Sequence, residues 1–293
     1  MAGKHISYSE WKNWRICPHY HKLTYIDKVK QFEGNIFTAF GKALHSVCEG
    51  SFSLNGEYPS QEILDEQFKK YFVSELKSLP QKEQIRAVSE FKLPDFKTQG
   101  LEILREIYDA MTDTFGVLGD DWVVLMTEEQ LYVPITEFEK AEKKFKGFID
   151  LVIATKDGKI HLIDWKTCSW GWDARKKSDT VLAYQLVYYK HFYARKHPEV
   201  SVEDVETHFV LFKRTAKAGK KIEFIRVTAG KKRIENALNT LLKALHNIED
   251  KRYTKNRLAC TKCPDRFGTC EFYQTEQDAR NAFKGDLTPK LFG

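Results

Sequence analysis

Two apolar segments joined by an Asp-Gly turn at residues 157–158 constrain the fold of this chain more than any other feature. The first segment surrounds Asp150 in the run GFIDLVI, and the second ends in Asp-Trp-Lys at residues 164–166. An Asp-Gly pair between apolar runs is typical of a tight hairpin turn, so we expect two antiparallel strands. Near-continuous apolar runs are typical of covered strands, so we expect the sheet to be buried.

Antiparallel pairing would bring Asp150 and Asp164 close together across the sheet, with Lys166 on the same face as Asp164. A carboxylate in a buried strand is costly unless a cation or hydrogen bonds compensate its charge. Mg²⁺ and similar hard cations bind one or two carboxylates together with substrate phosphates. A nearby lysine can orient or deprotonate an attacking water. The three residues therefore indicate phosphodiester hydrolysis, with solvated strand ends as the structural alternative.

Two further elements offer candidate side chains for the same site. Glu128 and Glu129 lie in a strand-like run, where neighbours point to opposite faces, so only one can join the carboxylates. Of these two glutamates, we favour Glu128 as a catalytic residue beside Asp150, Asp164 and Lys166. His45 lies on an amphipathic helical segment, and a neutral imidazole can complete a divalent-metal site. Cys48, one turn further on, is interpreted as a buried thiol.

Gln185 and Tyr189 are four residues apart on the helical segment that follows the Asp-Trp-Lys strand, so they share one face. Amide and phenol groups can hydrogen-bond a phosphate, and an aromatic ring can stack on a base. We interpret the pair as substrate-binding residues. The alternative is a core helix with an aromatic stripe.

Basic and aromatic residues are interleaved on both sides of the carboxylate strands. The net charge of +6 from 47 basic and 41 acidic residues is only mildly favourable to a nucleic-acid partner. The local pattern is more specific, because single-strand channels combine cations with aromatic rings. The residues in question are Lys143, Lys144, Lys146, Trp170, Trp172, Arg175, Lys176 and Lys177.

The six cysteines form the second informative pattern. Neither a signal-peptide core nor an apolar run of about 18 residues is found, so we expect a cytoplasmic chain, in the host cytoplasm if the genome is viral, without a membrane partner. Reduced cysteines are then more typical of metal ligands than of disulfides. Cys260, Cys263 and Cys270 are clustered, with Cys17 the best fourth partner. Four thiolates suit either Zn²⁺ or a [4Fe-4S] cluster. Cys168 is interpreted as a buried thiol.

The order of elements predicts a mixed α/β fold. One domain over 1–293 is expected, with a mainly helical portion at 1–120, a core at 121–230, and a last helix and cysteine cluster at 231–293. Predicted helices cover 36–52, 60–78, 82–92, 98–117, 179–197 and 230–249, after a short helix that follows Ser7. Predicted strands cover 122–135, 145–155, 159–167, 205–213 and 221–228.

Together these motifs resemble the PD-(D/E)XK nuclease superfamily, and within it the RecB-like exonucleases. His45 in Gly41-x3-His resembles the helical histidine of the family, and Asp150 in Gly147-x2-Asp resembles its first metal aspartate. Asp164-x-Lys166 and Gln185-x3-Tyr189 resemble two further motifs of the family. The resemblance implies a restriction-endonuclease-like mixed sheet flanked by helices. The backbone carbonyl of Trp165 is a further candidate ligand for Mg²⁺ or Mn²⁺, beside His45, Asp150 and Asp164.

The cysteine pattern is similar to the iron-sulfur subgroup that includes the AddB nuclease domain and the CRISPR-associated adaptation nucleases. There the cluster staples the chain ends together around the nuclease core and supports DNA binding. The gap of six residues before Cys270 is one longer than is typical of the subgroup, so iron-sulfur and zinc both stay open here.

The resemblance implies a DNA exonuclease acting on single strands or free ends in recombination, repair or replication. A separate helicase or recombinase is the expected partner, because the chain has no Walker loop. The alternatives are a structure-specific endonuclease, a non-cleaving DNA-binding scaffold and a zinc-stapled interaction module.

Overall fold

The computed structural model describes residues 4–29, 33–52, 58–262 and 270. Its strands are β1 (His5–Ser7), β2 (Trp122–Pro134), β3 (Lys144–Thr155), β4 (Ile160–Cys168), β5 (Val205–Lys213) and β6 (Ile222–Arg226). Its α-helices are α1 (Tyr8–Ile16), α2 (Pro18–His21), α3 (Ile36–Ser51), α4 (Gln61–Ser78), α5 (Gln81–Glu90), α6 (Leu93–Phe115), α7 (Ala174–Lys177), α8 (Thr180–Lys196) and α9 (Lys231–Glu249). Short π- and 3-10-helical turns cover Lys22–Ile26, Val202–Asp204 and Arg257–Lys262. No described helix has the length and hydropathy needed to cross a membrane.

The contacts divide the chain into two compact units. The first combines residues 1–32, 134–144 and 239–293, and the second combines 33–133 and 145–238. The second unit contains almost all of the sheet and every residue proposed for the carboxylate site. A single domain over 1–293 stays a prediction.

The sheet of the second unit is mixed. β3 pairs antiparallel with β4, β4 pairs parallel with β5, and β5 pairs antiparallel with β6, while β2 also pairs with β3. The predicted hairpin is confirmed, because Leu151 pairs with Ile163 and Val152 with Leu162. Gly158 in the turn has φ of +80°, a conformation that glycine adopts without steric penalty. The predicted α/β class, with a mixed sheet flanked by helices, is confirmed.

The apolar core of the second unit covers one face of this sheet. Ile163 and Trp165 of β4 belong to one buried cluster with side chains of α3, α4 and α6. The aromatic rings of that cluster include Phe40, Phe68, Phe72 and Phe96, which pack edge-on or stacked on one another. Side chains alternate along a strand, so Asp164 and Lys166 point to the opposite face.

Two capped helices carry the remaining candidate residues. α3 begins with a capping box, in which Asn35 Oδ1 accepts from the Thr38 amide at 3.1 Å and Thr38 Oγ1 accepts from the Asn35 amide at 2.8 Å. α8 begins where Asp179 Oδ1 accepts from the Val181 amide at 2.8 Å. These caps set the first turn of the helices that bear His45 and Gln185.

The predicted long elements agree with the structure to within a few residues at most ends. The largest difference is at α6, which begins at Leu93, about five residues earlier than predicted. Pro94 fits the first turn of a helix, where its missing amide hydrogen is not needed. The short elements β1, α2 and α7 were not predicted, because three or four residues carry too little periodicity.

Candidate active site

Asp150, Asp164 and Lys166 converge at the end of the β3–β4 pairing. Lys166 Nζ lies 2.5 Å from Asp164 Oδ2. Asp150 Oδ2 accepts a hydrogen bond of 2.6 Å from the backbone amide of Trp165, the residue between the other two. Both carboxylates are buried, with 8% of Asp150 and 3% of Asp164 exposed. The structure thus brings the three predicted residues together.

The two oxygens of Asp164 have different partners. Among the described residues, Lys166 is the cation beside Oδ2. The other oxygen, Oδ1, accepts from Gln185 Nε2 at 2.6 Å. Burial raises the pKa of Asp164 to about 6, while Lys166 beside it limits the rise. A buried carboxylate that is charged at neutral pH and lies close to a second buried carboxylate, Asp150, fits a cation ligand.

His45 approaches the carboxylates from α3. Its Nδ1 lies 3.6 Å from Asp150 Oδ1. Burial lowers the pKa of His45, but the nearby carboxylates of Asp150 and Asp164 more than offset this, so the net direction is upward. Gly41, one turn earlier, allows the approach, because a Cβ there would lie 3.1 Å from Thr167 Oγ1 of β4. The glycine of the Gly-x3-His pattern therefore allows α3 to pack closely against β4.

Gln185 and Tyr189 lie on α8 over the carboxylate face of the sheet. The amide of Gln185 donates to Asp164 Oδ1 and, at 3.1 Å, to the hydroxyl of Tyr189. Burial raises the pKa of Tyr189, and the charge of Asp164 adds to the rise, so the phenol stays protonated. Both residues are buried and ordered around Asp164. The structure brings them to the site, whereas contact with substrate stays a prediction.

Gly147 sets how closely β3 and α8 approach at the site. A Cβ at this position would lie 2.8 Å from Tyr189 Cε1 and 3.2 Å from Phe145 Cε1, closer than packed carbon atoms allow. The glycine immediately before Phe-Ile-Asp thus leaves room for the ring of Tyr189, whose hydroxyl accepts a hydrogen bond from Gln185.

We expect Gly147→Ala to lower DNA cleavage about 10- to 100-fold, because displacing Tyr189 and Gln185 by a fraction of an ångström misplaces Asp164. The fold should persist with a loss of about 1–3 kcal/mol, as in other overpacked cores. Rates of DNA hydrolysis and thermal unfolding measure the two effects. Gly50→Ala is the matched control, since a Cβ at Gly50 on α3 meets no atom within 4 Å. An unchanged rate for Gly147→Ala would contradict the positioning role.

Glu128, rather than Glu129, lies near the site. Glu129 is buried and pairs with Lys196 Nζ at 2.7 Å and His197 Nε2 at 3.0 Å. Glu128 lies beside Glu49, and burial together with the neighbouring Glu128 carboxyl group raises the pKa of Glu49 to about 8. The backbone of Glu128 has φ of 51°, a left-handed conformation that is uncommon for a residue with a side chain. Such local strain is often found at functional sites.

Glu49 is the site residue that the sequence interpretation missed. It lies four residues after His45 on α3, so both side chains share one face of the helix. One ligand atom each from His45, Glu49 and Asp150 lies within 4.8 Å of the others, a spacing that suits a shared metal ion. The signal for Glu49 was the i, i+4 spacing from His45.

A cleft of about 630 Å³ opens next to these residues. His45, Glu49 and Glu128 line it, together with Lys42 and Thr167. Clefts of this size accept small-molecule-sized groups. A nucleotide unit could therefore reach the acidic cluster from solvent.

The other predicted site residues are placed as follows. The Trp165 side chain is buried in the core, and its carbonyl as a metal ligand stays a prediction. Lys143 is buried, and its Nζ lies 2.5 Å from Glu249 Oε1. Its ammonium group is therefore already paired and does not face a phosphate. Lys176 stacks over Trp172 at 4.9 Å from the ring centroid. Trp170 is 77% exposed and is open to stacking.

In the first unit, two of the predicted cluster cysteines approach one residue. Asn256 donates its backbone amide to Cys17 Sγ at 3.4 Å, and Cys260 Sγ lies 4.0 Å from the carbonyl oxygen of Asn256. The N-terminal cysteine and one C-terminal cysteine are thus neighbours. Cys270 is among the described residues and is partly exposed, whereas Cys263 lies outside them.

Comparisons with known proteins add a family and a fold. The sequence model of the PD-(D/E)XK nuclease superfamily matches residues 5–267. A crystal structure of a candidate exonuclease from Eubacterium rectale is 13% identical, with a TM-score of 0.53 over 93% of this chain and 88% of that one. The crystal structure of SSO0001 is 12% identical, with a TM-score of 0.42 over 92% and 87%. The exonuclease structure therefore shows a shared fold and nothing more. The TM-score of SSO0001 is too low to support a conclusion. No curated protein matches the chain.

Proposed function

Since the chain belongs to the PD-(D/E)XK nuclease superfamily, we propose that it is a divalent-metal-dependent DNA exonuclease of the cytoplasm. Its substrates would be single strands or duplex ends arising in recombination, repair or replication. The observation that carries the proposal is the convergence of the two buried carboxylates, Asp150 and Asp164, on Lys166, with His45 Nδ1 3.6 Å from Asp150 Oδ1.

His45, Glu49, Asp150 and Asp164 are the residues that would hold Mg²⁺ or Mn²⁺, with the Trp165 carbonyl as a further oxygen. Carboxylate oxygens are the ligands such ions prefer, and one imidazole is compatible with Mn²⁺. The bound ion supplies electrostatic stabilisation of the charge that develops on the scissile phosphate.

The side chains of the site have separate roles in the proposed reaction. Lys166, held by Asp164, orients the water that attacks phosphorus, while the bond from phosphorus to the leaving oxygen breaks. Gln185 fixes the orientation of Asp164, and Tyr189 fixes Gln185. Glu128 lines the cleft beside Glu49 and accepts a proton or a second ion there.

An assay with end-labelled DNA tests this function. Purified chain is incubated with single- and double-stranded DNA labelled at the 5′ or 3′ end, with Mg²⁺, Mn²⁺ or a chelator. Progressive release of short products that depends on the metal supports the proposal. Absence of cleavage under all conditions contradicts it and favours a scaffold that binds DNA without cutting it.

A structure-specific endonuclease would use the same residues. Superfamily members share this core, and the same fold supports both activities. A covalently closed circular single strand separates the two activities. Cleavage of the circle would identify an endonuclease.

We further propose that Cys17, Cys260, Cys263 and Cys270 hold a structural [4Fe-4S] cluster, with Zn²⁺ as the alternative. The support is that Cys17 and Cys260 both lie close to Asn256, and that the Asn256 amide donates a hydrogen bond to Cys17 Sγ. Amide hydrogen bonds to sulfur are typical of thiolate ligands in iron-sulfur sites. Four thiolates would join the start and end of the chain within the first unit.

Cys260→Ser is expected to remove most of the bound metal and to lower the melting temperature, because a structural metal site contributes free energy of folding. Visible absorption of anaerobically purified protein and elemental analysis for iron and zinc provide the measurement. Cys168→Ser is the control, since Cys168 lies in the second unit. A brown protein identifies iron-sulfur, and a colourless protein that holds one equivalent of zinc more than Cys260→Ser identifies the alternative. Equal metal contents in both variants would rule out the thiolate site.

A further inference from the structure

A second group of metal-ligating side chains lies at the beginning of β4 and β5, away from Lys166. His161 pairs with Glu206, and Ile163 pairs with His208, in the parallel ladder of these strands. The side chains of His161, Glu206 and His208 therefore lie on the same face of the sheet. Their ligand atoms lie within 4.8 Å of one another.

The distances within this group are close to those of a metal site. His161 Nδ1 lies 3.1 Å from His208 Nε2. Glu206 Oε2 is nearly equidistant from them, at 3.9 Å from His161 Nδ1 and 4.0 Å from His208 Nε2. Ligand atoms about 2.0–2.1 Å from a tetrahedral zinc ion lie about 3.3 Å apart. The carboxylate oxygen needs to move by only a fraction of an ångström to complete such a set.

The neighbours of His161 direct its lone pair toward this group. Thr155 Oγ1 lies 2.5 Å from Asp157 Oδ1 and 3.1 Å from His161 Nε2. An ionised carboxylate can only accept, so the hydroxyl hydrogen of Thr155 goes to Asp157. His161 Nε2 therefore donates to Thr155, which leaves Nδ1 as the unprotonated nitrogen. Such outer hydrogen bonds are typical of metal-bound histidines.

Glu206 is oriented in a similar way. Arg226 donates to Glu206 Oε1 at 2.6 Å, so the second oxygen, Oε2, faces the two imidazoles. The ring of Phe115 covers both histidines, with centroids 4.9 Å from His161 and 5.7 Å from His208. Burial lowers the pKa of both histidines, that of His208 to about 3, so both rings are neutral. Glu206 is 20% exposed and leaves a path to solvent.

We propose that His161, Glu206 and His208 form a second metal site, which binds Zn²⁺ through two imidazole nitrogens and one carboxylate oxygen. Two nitrogen donors favour Zn²⁺ over Mg²⁺, which prefers oxygen. Water fills the fourth position of a tetrahedral ion. His208 carries its proton on Nδ1 in the bound state and on Nε2 in the metal-free state, so binding changes no net charge on the ring.

This site is separate from the proposed nuclease centre. His161 and Asp164 are three residues apart on β4, so their side chains point to opposite faces of the sheet, about 10 Å apart along the strand. The ion would join β4 to β5, the strand pair that supports Asp164 and Lys166. The proposal does not depend on the exonuclease assignment.

Equilibrium dialysis against Zn²⁺ tests the proposal on the full chain. The parent protein carries Asp150→Asn, which weakens the nuclease centre, and Mg²⁺ is present in excess throughout. His208→Gln and Glu206→Gln are each added to this parent, and His246→Gln on the exposed side of α9 is the matched histidine control. The cysteines are the same in all four proteins, so their zinc cancels in the comparison.

We expect His208→Gln and Glu206→Gln each to lose one equivalent of bound Zn²⁺, while His246→Gln loses none. Zn²⁺ should also raise the melting temperature of the parent more than that of either cluster variant. Equal zinc contents in all four proteins would overturn the proposal and leave His161 and His208 as a hydrogen-bonded pair. Circular dichroism checks folding, and if His208→Gln unfolds, the partly exposed Glu206→Gln decides the outcome alone.

Discussion

Asp164→Asn is expected to lower metal-dependent DNA cleavage by about 10²–10³-fold or more, the range seen when one group that stabilises transition-state charge is removed. The amide keeps the shape of the side chain and can still accept the hydrogen bond from Gln185. It cannot offer an anionic oxygen to a cation at the Oδ2 position, where Lys166 lies in the native fold.

The same variant should keep its fold and its DNA affinity. Burial already disfavours the charged form of Asp164, as its raised pKa shows, so removing the charge relieves that penalty. One fewer negative charge also lowers repulsion from phosphates. Initial rates, DNA binding and melting temperature are measured beside Asp120→Asn, the same exchange at an exposed turn. A rate within a few-fold of the parent would refute the assigned role of Asp164.

Lys166→Met is expected to abolish cleavage and, unlike Asp164→Asn, to destabilise the metal-free protein by about 1–3 kcal/mol. Among the described residues, Lys166 is the cation in contact with Asp164, whose side chain is only 4% exposed, and the change removes it. A carboxylate without a partner in such a place carries its full desolvation penalty. The partial exposure of Lys166, at 29% of its side chain, keeps the effect below that of a fully buried pair.

The double variant Asp164→Asn/Lys166→Met separates stability from chemistry. We expect it to recover most of the stability lost in Lys166→Met while remaining inactive, because the uncompensated charge is gone but the site is not restored. Chemical denaturation measures the coupling. Lys159→Met, which breaks an exposed pair with Asp204, is the control and should change stability by less than about 1 kcal/mol. If the double variant were no more stable than Lys166→Met, the charge pair would not explain the loss.

The convergence of Asp150, Asp164 and Lys166 followed from local rules. An Asp-Gly turn sets the register of a hairpin, and the two-residue period of a strand then decides which side chains meet. Gln185 and Tyr189 were paired by the helical spacing of four. These relations involve neighbours in sequence, so the sequence alone contains them.

Other features depend on contacts between distant segments. Lys143 was predicted to face nucleic acid, but its partner Glu249 lies on α9, which no local pattern connects to it. The sequence did not indicate that His161 and His208 lie side by side, because their proximity requires the parallel pairing of β4 with β5. The left-handed backbone of Glu128 is likewise imposed by its surroundings, since a non-glycine residue has no local preference for it.

The hydrogen bond from the Trp165 amide to Asp150 gives the protein a spectroscopic reporter. That amide hydrogen sits against the carboxylate proposed to receive the cation, so its nuclear magnetic resonance frequency shifts when the charge on Asp150 is shared with an ion. Metal occupancy at the centre can then be followed by one backbone signal of isotope-labelled protein, without substrate or turnover.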